Sequence, residues 1–263
     1  MAIKKIKPYI ILKEMAKYKS LFNVEGTLGE VTFYKNKDGY YIRNKGGVSK
    51  NRILNDPTFA RTRENLSEFG STATNGKQLR QAINSLMFDA KDSKVTSRLT
   101  KALSLVRNQD VTSARGQRQV AFGLATATGK NFLKGFDFNK NAVLNSVLKA
   151  QYSLNATTGE VIFTDLIPVH QVSAPIGATH VSLSCAFLNL DLETDVKALQ
   201  ISPVANLPLN AIATTVTLTP PVPATGTGIS FYFLKVAFFK DINGIQYPLN
   251  NGAFNALQLI EII

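Results

Sequence analysis

The stretch ISFYFLKVAFFKDINGIQYPL, residues 229–249, decides the fold class of this chain. Its first half places apolar residues at both alternate positions, which predicts a β-strand that is buried on both faces. Asn243-Gly244 then marks a turn, because Gly accepts the positive φ that tight turns need. We therefore expect a long strand with cover on each side, and a neighbouring subunit could provide some of that cover.

Short β-rich runs of this kind fill the second half of the chain. Pro- and Gly-rich turns separate them, and no helical pattern intervenes. The other runs are EVIFTDLIPV, THVSLSCAFLNLDL, DVKALQIS, TTVTLTP and ALQLIEII. Short strands in this arrangement indicate an antiparallel β-sandwich over residues 136–263, of Ig-like or jelly-roll-like type.

The first half of the chain, residues 1–135, shows a different pattern. It is predicted to contain a basic arm, a hairpin and a small helical region. GEVTFYKNKDGYYIRNK, residues 29–45, predicts the hairpin, with Asp38-Gly39 as its tight turn. Together with the sandwich, these elements predict an α+β fold with two domains, 1–135 and 136–263.

Three helices are predicted in this first half, and their apolar residues indicate which sides face the core. Asp56 and Pro57 suit the start of the first helix, and Gly70 suits its end. Its inner side is expected to carry Phe59, Leu66 and Phe69. The second and third helices are expected near residues 76–90 and 94–108, with the apolar stripes Leu79, Ile83, Leu86, Met87 and Val95, Leu99, Leu103, Val106.

The charge of the protein is concentrated in its first half. The net charge is +12 over 263 residues. Residues 1–135 contain 25 Lys and Arg against 10 Asp and Glu, whereas residues 136–263 contain 5 against 8. This asymmetry indicates two surfaces that meet different partners.

The basic half contains a candidate interaction surface. Its cations could neutralise phosphates and release counterions, and Tyr34, Tyr40 and Tyr41 could stack on exposed bases. A merely solvated basic face, or a face that docks on the sandwich of another copy, would carry the same residue types. The candidate residues are Lys35, Lys37, Arg43, Lys45, Arg61, Arg63, Arg80, Arg98 and Lys101.

Motifs for catalysis, metals or cofactors are not recognised in the sequence, so we expect a non-enzymatic protein without a cofactor or small-molecule substrate. GLATATGKN, residues 123–131, departs from the phosphate-binding loop in spacing and ends in Asn where a hydroxyl is needed. His170, His180 and the single cysteine, Cys185, are read as structural residues of the β runs. No secretory signal or membrane span is evident, so the expected location is the cytoplasm or a particle released without a cleaved signal.

Three sequence motifs resemble those of a family of uncharacterised bacterial proteins. They are GTLGEVTFY at 26–34, NDPTFARTREN at 55–65 and NGIQYPLNNGAFNA at 243–256. The resemblance covers most of the chain but implies no activity, cofactor, partner or site residue. Physically, Arg61 and Glu64 suit a salt-bridged contact at a helix start, and Asn255 suits backbone capping.

These patterns leave three functional hypotheses. The first is a structural protein that self-assembles with other copies into a homo-oligomer, such as a filament, a shell or a phage-like particle. The second is a nucleic-acid-binding protein without sequence preference that uses the basic half. The third is a sandwich that binds a carbohydrate or other ligand through an aromatic patch, formed by Tyr232, Phe238 and Tyr247.

Overall fold

The computed structural model describes residues 16–17, 23–44 and 46–263, without the side chains of residues 16, 17, 250 and 251. The fold mixes helices with antiparallel sheets, as predicted. The chain divides into two compact units, residues 1–60 and residues 61–263, which we call the N-terminal and C-terminal units.

The N-terminal unit contains the predicted hairpin within a four-stranded antiparallel sheet. The strands are β1 (Ala16–Lys17), β2 (Gly26–Leu28), β3 (Val31–Asn36) and β4 (Gly39–Asn44), in the order β1-β4-β3-β2. The turn ends at Gly39, whose φ of 126° favours glycine. Helix α1 (Lys50–Asn55) and a 3₁₀ turn (Pro57–Phe59) follow, and the Asp56 carboxylate accepts the Thr58 N–H at 2.9 Å. This bond confirms Asp56 as a capping residue.

The C-terminal unit begins with helices and continues with strands, but one short helix, Pro168–Gln171, lies among the β runs, where the sequence shows no helical pattern. The helices are α2 (Ala60–Ala82), α3 (Asn84–Met87), α4 (Val95–Arg107), α5 (Val120–Leu124), α6 (Ala127–Leu133), α7 (Leu144–Val147) and α8 (Pro168–Gln171). The strands are β5 (Ser153–Asn155), β6 (Glu160–Leu166), β7 (His180–Leu190), β8 (Lys197–Ile201), β9 (Ala205–Pro208), β10 (Thr214–Leu218), β11 (Ile229–Ile242), β12 (Ile245–Pro248) and β13 (Ala256–Ile262). A 3₁₀ turn (Leu249–Gly252) joins β12 to β13.

The main sheet is built around the long strands β7 and β11, which pair antiparallel from Ile229↔Leu190 to Phe239↔His180. Strands β12 and β13 pair with the other side of β11, and β8 and β9 pair with the other side of β7. The sheet is curled: the Asn206 side chain of β9 donates to Gln246 Oε1 of β12 at 2.6 Å, although two strands lie between them.

Both faces of β11 are buried over most of its length, as its apolar pattern predicts. On one face, Phe231 and Phe233 pack in a core with the helices. On the other face, Tyr232 and Leu234 pack in a second core with a small sheet of order β10-β6-β5. The cover comes from the same chain, so burial of β11 does not by itself require a neighbouring subunit.

The predicted domain boundary at residues 135 and 136 falls inside the C-terminal unit. Helices α4, α5 and α6 contribute Leu99, Leu103, Leu124 and Leu133 to the core that also contains Phe233 of the sheet. The helices and the sheet bury their apolar sides against each other, which explains why the contacts do not separate them.

The stripes predicted for the second and third helices are buried, but the predicted inner side of the first helix is wrong. Leu66 is 55% exposed and Phe69 is 56% exposed. Helix α2 instead faces inward with Glu68, Thr72, Gly76 and Leu79. A Cβ on Gly76 would lie 3.2 Å from Leu103 Cδ1, so a small residue lets α2 approach α4 closely.

The predicted helix end at Gly70 is also wrong, because α2 continues to Ala82. The helix predicted near residues 76–90 is therefore not a separate element: its first part belongs to α2, and the short α3 follows it. Glycine weakens an isolated helix by about 1 kcal/mol relative to alanine. In α2 that cost is outweighed by tertiary contacts on both sides of Gly70, at Glu68 and at Leu79.

Candidate interaction surface on the helical layer

The predicted basic residues of the N-terminal unit lie on its hairpin. The Lys35 ammonium lies 5.3 Å from the Tyr40 ring centroid, and the Arg43 guanidinium lies 5.5 Å from that of Tyr34. Tyr34 also stacks on the buried Tyr41 at 5.8 Å. These rings therefore already have partners within the hairpin. Lys37 is exposed, and Lys45 lies outside the described residues.

In the C-terminal unit, the start of α2 forms an ion-pair cluster with a later loop. Glu64 Oε2 lies 2.9 Å from Arg61 Nη1 and 3.2 Å from Arg115 Nε. Arg63, beside them, is half-buried. The RTREN motif thus connects the helix to Arg115, in agreement with the salt-bridged contact expected from the sequence.

Glu68 is the centre of this cluster and is 1% exposed. Its carboxylate accepts two hydrogen bonds from Arg118, at 2.8 and 2.7 Å, and one from the Gly116 N–H at 2.7 Å. Arg107 Nε lies 3.5 Å away. The hydrogen bonds from Arg118 outweigh the effect of burial and lower the pKa of Glu68 to about 2. These arginines therefore stabilise the fold.

Asp110 holds the backbone of the same loop, residues 110–119, through hydrogen bonds. Its carboxylate accepts the N–H groups of Thr112, Ser113 and Gln119 at 2.9, 3.0 and 2.9 Å. Burial alone would raise the pKa of Asp110, but these hydrogen bonds hold it well below the usual range. The carboxylate is therefore ionised at neutral pH, and it serves the loop backbone.

Two further predicted cations, Arg80 and Arg98, also have partners. Arg80 donates to the Gly76 carbonyl and to Thr96 Oγ1, both at 3.0 Å. Arg98 forms an ion pair with the buried Asp92 and donates to the Phe138 carbonyl at 3.2 Å. The sequence could not separate these internally bonded arginines from free ones, because no local pattern indicates all of their partners: Thr96 is 16 residues from Arg80, and Phe138 is 40 residues from Arg98.

The remaining predicted cation of the C-terminal unit, Lys101, is an exposed residue of α4. Lys94, which the sequence-based candidates do not include, is also exposed and is the N-cap of the same helix. Neither lysine has a carboxylate within ion-pair distance among the described residues. Arg98 lies between them in sequence. We call Lys94, Arg98 and Lys101 the α4 basic face.

Two recesses flank the α4 basic face, and each contains an exposed phenylalanine. A groove of about 520 Å³ between α2 and α4 is lined by Phe69, Ala73, Lys94, Lys101 and five hydroxyl side chains of residues 93–104. A recess of about 330 Å³ is lined by Arg98, Phe132, Lys134, Gly135, Phe136, Asp137, Lys140 and Val143. Phe132 is 42% exposed. The face thus combines cations with accessible rings.

A second exposed surface lies at the β11–β12 turn. Ile242 pairs with Ile245, and Lys240 pairs with Tyr247, so these side chains share one face of the hairpin. The apolar members Ile242, Ile245 and Tyr247 are 48%, 57% and 49% exposed. They continue the sheet face that contains the buried Phe238. We call these three residues the hairpin face.

The aromatic patch expected for a ligand-binding sandwich does not form. Tyr232 and Phe238 are buried, and the Tyr232 hydroxyl donates to the Ala156 carbonyl at 2.5 Å. Of the three rings, Tyr247 alone is exposed. Their burial follows from the alternation of β11, which turns its even-numbered side chains toward the small sheet.

The residues considered for metal or thiol chemistry are dispersed. Within the described ranges, no three His, Cys, Asp or Glu side chains come together as a metal site. Cys185 is buried, its thiol lies 3.3 Å from the Leu218 carbonyl, and burial raises its pKa. In the part of the chain that the structure describes, no helix has both the length and the apolarity to cross a membrane.

Comparison with known proteins identifies no relative: no family model, curated protein or solved structure matches the chain. The function is therefore inferred from the two exposed surfaces of the C-terminal unit. One is the α4 basic face with its flanking phenylalanines, and the other is the hairpin face.

Proposed function

We propose that the protein is a non-enzymatic structural protein that self-associates through the hairpin face, as a component of a filament, a shell or a phage-like particle. The observation that supports this proposal is the exposure of Ile242, Ile245 and Tyr247 at the end of a sheet face that is otherwise buried. An exposed cluster of apolar side chains with a charged neighbour, here Lys240, is typical of a contact with another protein.

The energetics favour packing of this face over edge-to-edge pairing. Full burial of a large apolar side chain gains about 1.5–3 kcal/mol, so three half-exposed residues supply a few kcal/mol per copy. Strand β12 has four residues and ends in Pro248, which cannot donate to a ladder. The contact we propose is therefore face to face.

The type of contact determines which assembly the copies can form. A hairpin face that packs on its own copy closes a two-fold dimer, whereas a filament or shell needs a second, different contact. For residues 136–263 we propose a sandwich of Ig-like or jelly-roll-like type, supported by the core that the main and small sheets share.

The mass of the purified protein tests self-association. We expect a mass above the 28.7 kDa of one chain by light scattering, after nuclease treatment and at low and high salt. Replacing Ile245 with aspartate places a charge in the contact and is expected to raise the dissociation constant at least tenfold, equivalent to about 1.4 kcal/mol or more.

The matched control is Ile212→Asp, the same change at an exposed isoleucine between β9 and β10. It should leave the mass unchanged. A wild-type protein that stays monomeric at high concentration, or equal behaviour of the two variants, would contradict the proposed contact.

A further inference from the structure

We propose that the α4 basic face binds single-stranded nucleic acid, with phosphates on its lysines and bases stacked on Phe69 and Phe132. This site is separate from the hairpin face and does not depend on self-association. Of the many cations that the sequence suggests for nucleic-acid binding, the proposed site uses only those of α4 and its N-cap.

The charges of this face are available to a ligand. Lys94 and Lys101 are exposed, and among the described residues no carboxylate competes for them. Lys94 caps the start of α4, and Lys101 lies seven positions further along, a rise of about 10 Å that gives room for two phosphates. Phosphate binding at these lysines would release counterions, the main source of affinity for nucleic acids without sequence preference.

Unlike the two lysines, Arg98 forms an ion pair within the described part of the protein. Its pairing with Asp92 and its bond to the Phe138 carbonyl hold it at the base of the second recess. Its guanidinium also lies 5.0 Å from the Phe136 ring centroid. It therefore shapes the surface, while the lysines carry the free charge.

The exposed rings favour a single strand over a duplex. Phe69 and Phe132 lie in the recesses on either side of the basic face. Aromatic rings beside a cationic track bind single strands by stacking on bases, and this stacking tolerates any sequence. A duplex keeps its base faces stacked inside and cannot use these rings.

The choice of test residues follows from the ion pairs. Charge reversal at Arg61 or Arg98 would break the ion pair with Glu64 or Asp92. A loss of binding could then result from a less stable fold. Among the described residues, Lys94 and Lys101 form no such ion pair, so their reversal leaves the ion pairs of the fold intact.

Fluorescence anisotropy with a labelled 20-nucleotide oligothymidylate and the full chain tests the site. We expect Lys101→Glu to weaken binding at least fivefold, and Lys94→Glu with Lys101→Glu to weaken it further. The double variant should also reduce the slope of log affinity against log salt by about 1.4, since each single-strand phosphate contact contributes about 0.7. Phe69→Ala should weaken binding about fivefold or more without changing that slope.

The control for charge is Lys149→Glu, at an exposed lysine after α7 that lines neither recess and lies outside the hairpin face, and it should leave affinity within twofold. Equal losses for Lys149→Glu and Lys101→Glu would overturn the site. So would equal affinity for a 20-base-pair duplex, or equally strong competition by polyglutamate, which would indicate an acidic protein partner. Ile245→Asp should bind the oligonucleotide like the wild type, so failure of this site and failure of self-association remain distinguishable.

Discussion

Replacing Glu68 with glutamine is expected to lower the free energy of unfolding of the C-terminal unit by about 3–5 kcal/mol. The carboxylate is buried and accepts hydrogen bonds from Arg118 and the Gly116 N–H, with Arg107 close by. Glutamine retains the shape but not the charge, so both arginines would stay largely buried without a counter-ion. Removal of one partner from a buried ion pair is far more costly than loss of a surface pair.

Urea unfolding followed by circular dichroism measures this loss. Glu64→Gln is the matched control: Glu64 also contacts two arginines, but its side chain is 28% exposed. The control should cost less than about 1 kcal/mol, because solvent screens its ion pairs. Equal, small losses for the two variants would show that Glu68 does not hold the loop on α2.

The pH dependence of stability gives an independent check on Glu68. Its pKa falls from an ordinary value of 4.5 to about 2 in the folded protein, so folding favours the ionised form. The resulting stabilisation is complete above about pH 4.5 and is lost as the pH falls toward 2. The difference in unfolding free energy between wild type and Glu68→Gln should therefore shrink over that interval. A difference that stays constant from pH 6 to pH 2.5 would contradict the low pKa.

Local patterns were sufficient for several parts of the fold. The apolar stripe of α4 and the turn at Asp38-Gly39 follow from spacing and from the conformational freedom of glycine. The double burial of the long strand β11 follows from the apolar residues at both of its alternate positions. In each case the deciding information lies within about twenty consecutive residues.

The orientation of α2 could not be predicted in the same way. Its apolar residues Leu66 and Phe69 point outward, and its buried side contains Glu68. A buried carboxylate requires its partners, and Arg118 lies fifty residues further along the chain. Because hydrophobic periodicity assigns charged residues to the surface, it selected the wrong side of this helix.

For the candidate site, too, the sequence predicts the number of cations but not their bonding partners. Sequence composition places many cations in the first half of the chain, and that excess is real. Which of them are free depends on distant carboxylates and carbonyls, such as the Phe138 carbonyl that receives Arg98. Arg98 could be distinguished from the exposed Lys94 and Lys101 only when those bonds were known.

Replacing Phe233 with alanine is expected to lower the free energy of unfolding by about 3–5 kcal/mol. Phe233 is 1% exposed, and its ring centroid lies 6.0 Å from that of Phe138. It belongs to the core that the helices and the main sheet share, together with Leu99 and Leu103 of α4. The substitution would leave a cavity at the contact between the two layers, and rigid neighbours on both sides would limit its collapse.

The same variant tests whether the helices and the sheet unfold together. Hydrogen exchange of α4 and β7 amides should give the same opening free energy in the wild type, and both values should fall equally in Phe233→Ala. Phe88→Ala is the control, because Phe88 is 83% exposed and should change either value by less than about 0.5 kcal/mol. If α4 lost protection while β7 kept it, the helices would form a separate domain, and the boundary at residues 135 and 136 would be the correct one. A common loss would instead follow from the shared core, since neither layer can bury its apolar side without the other.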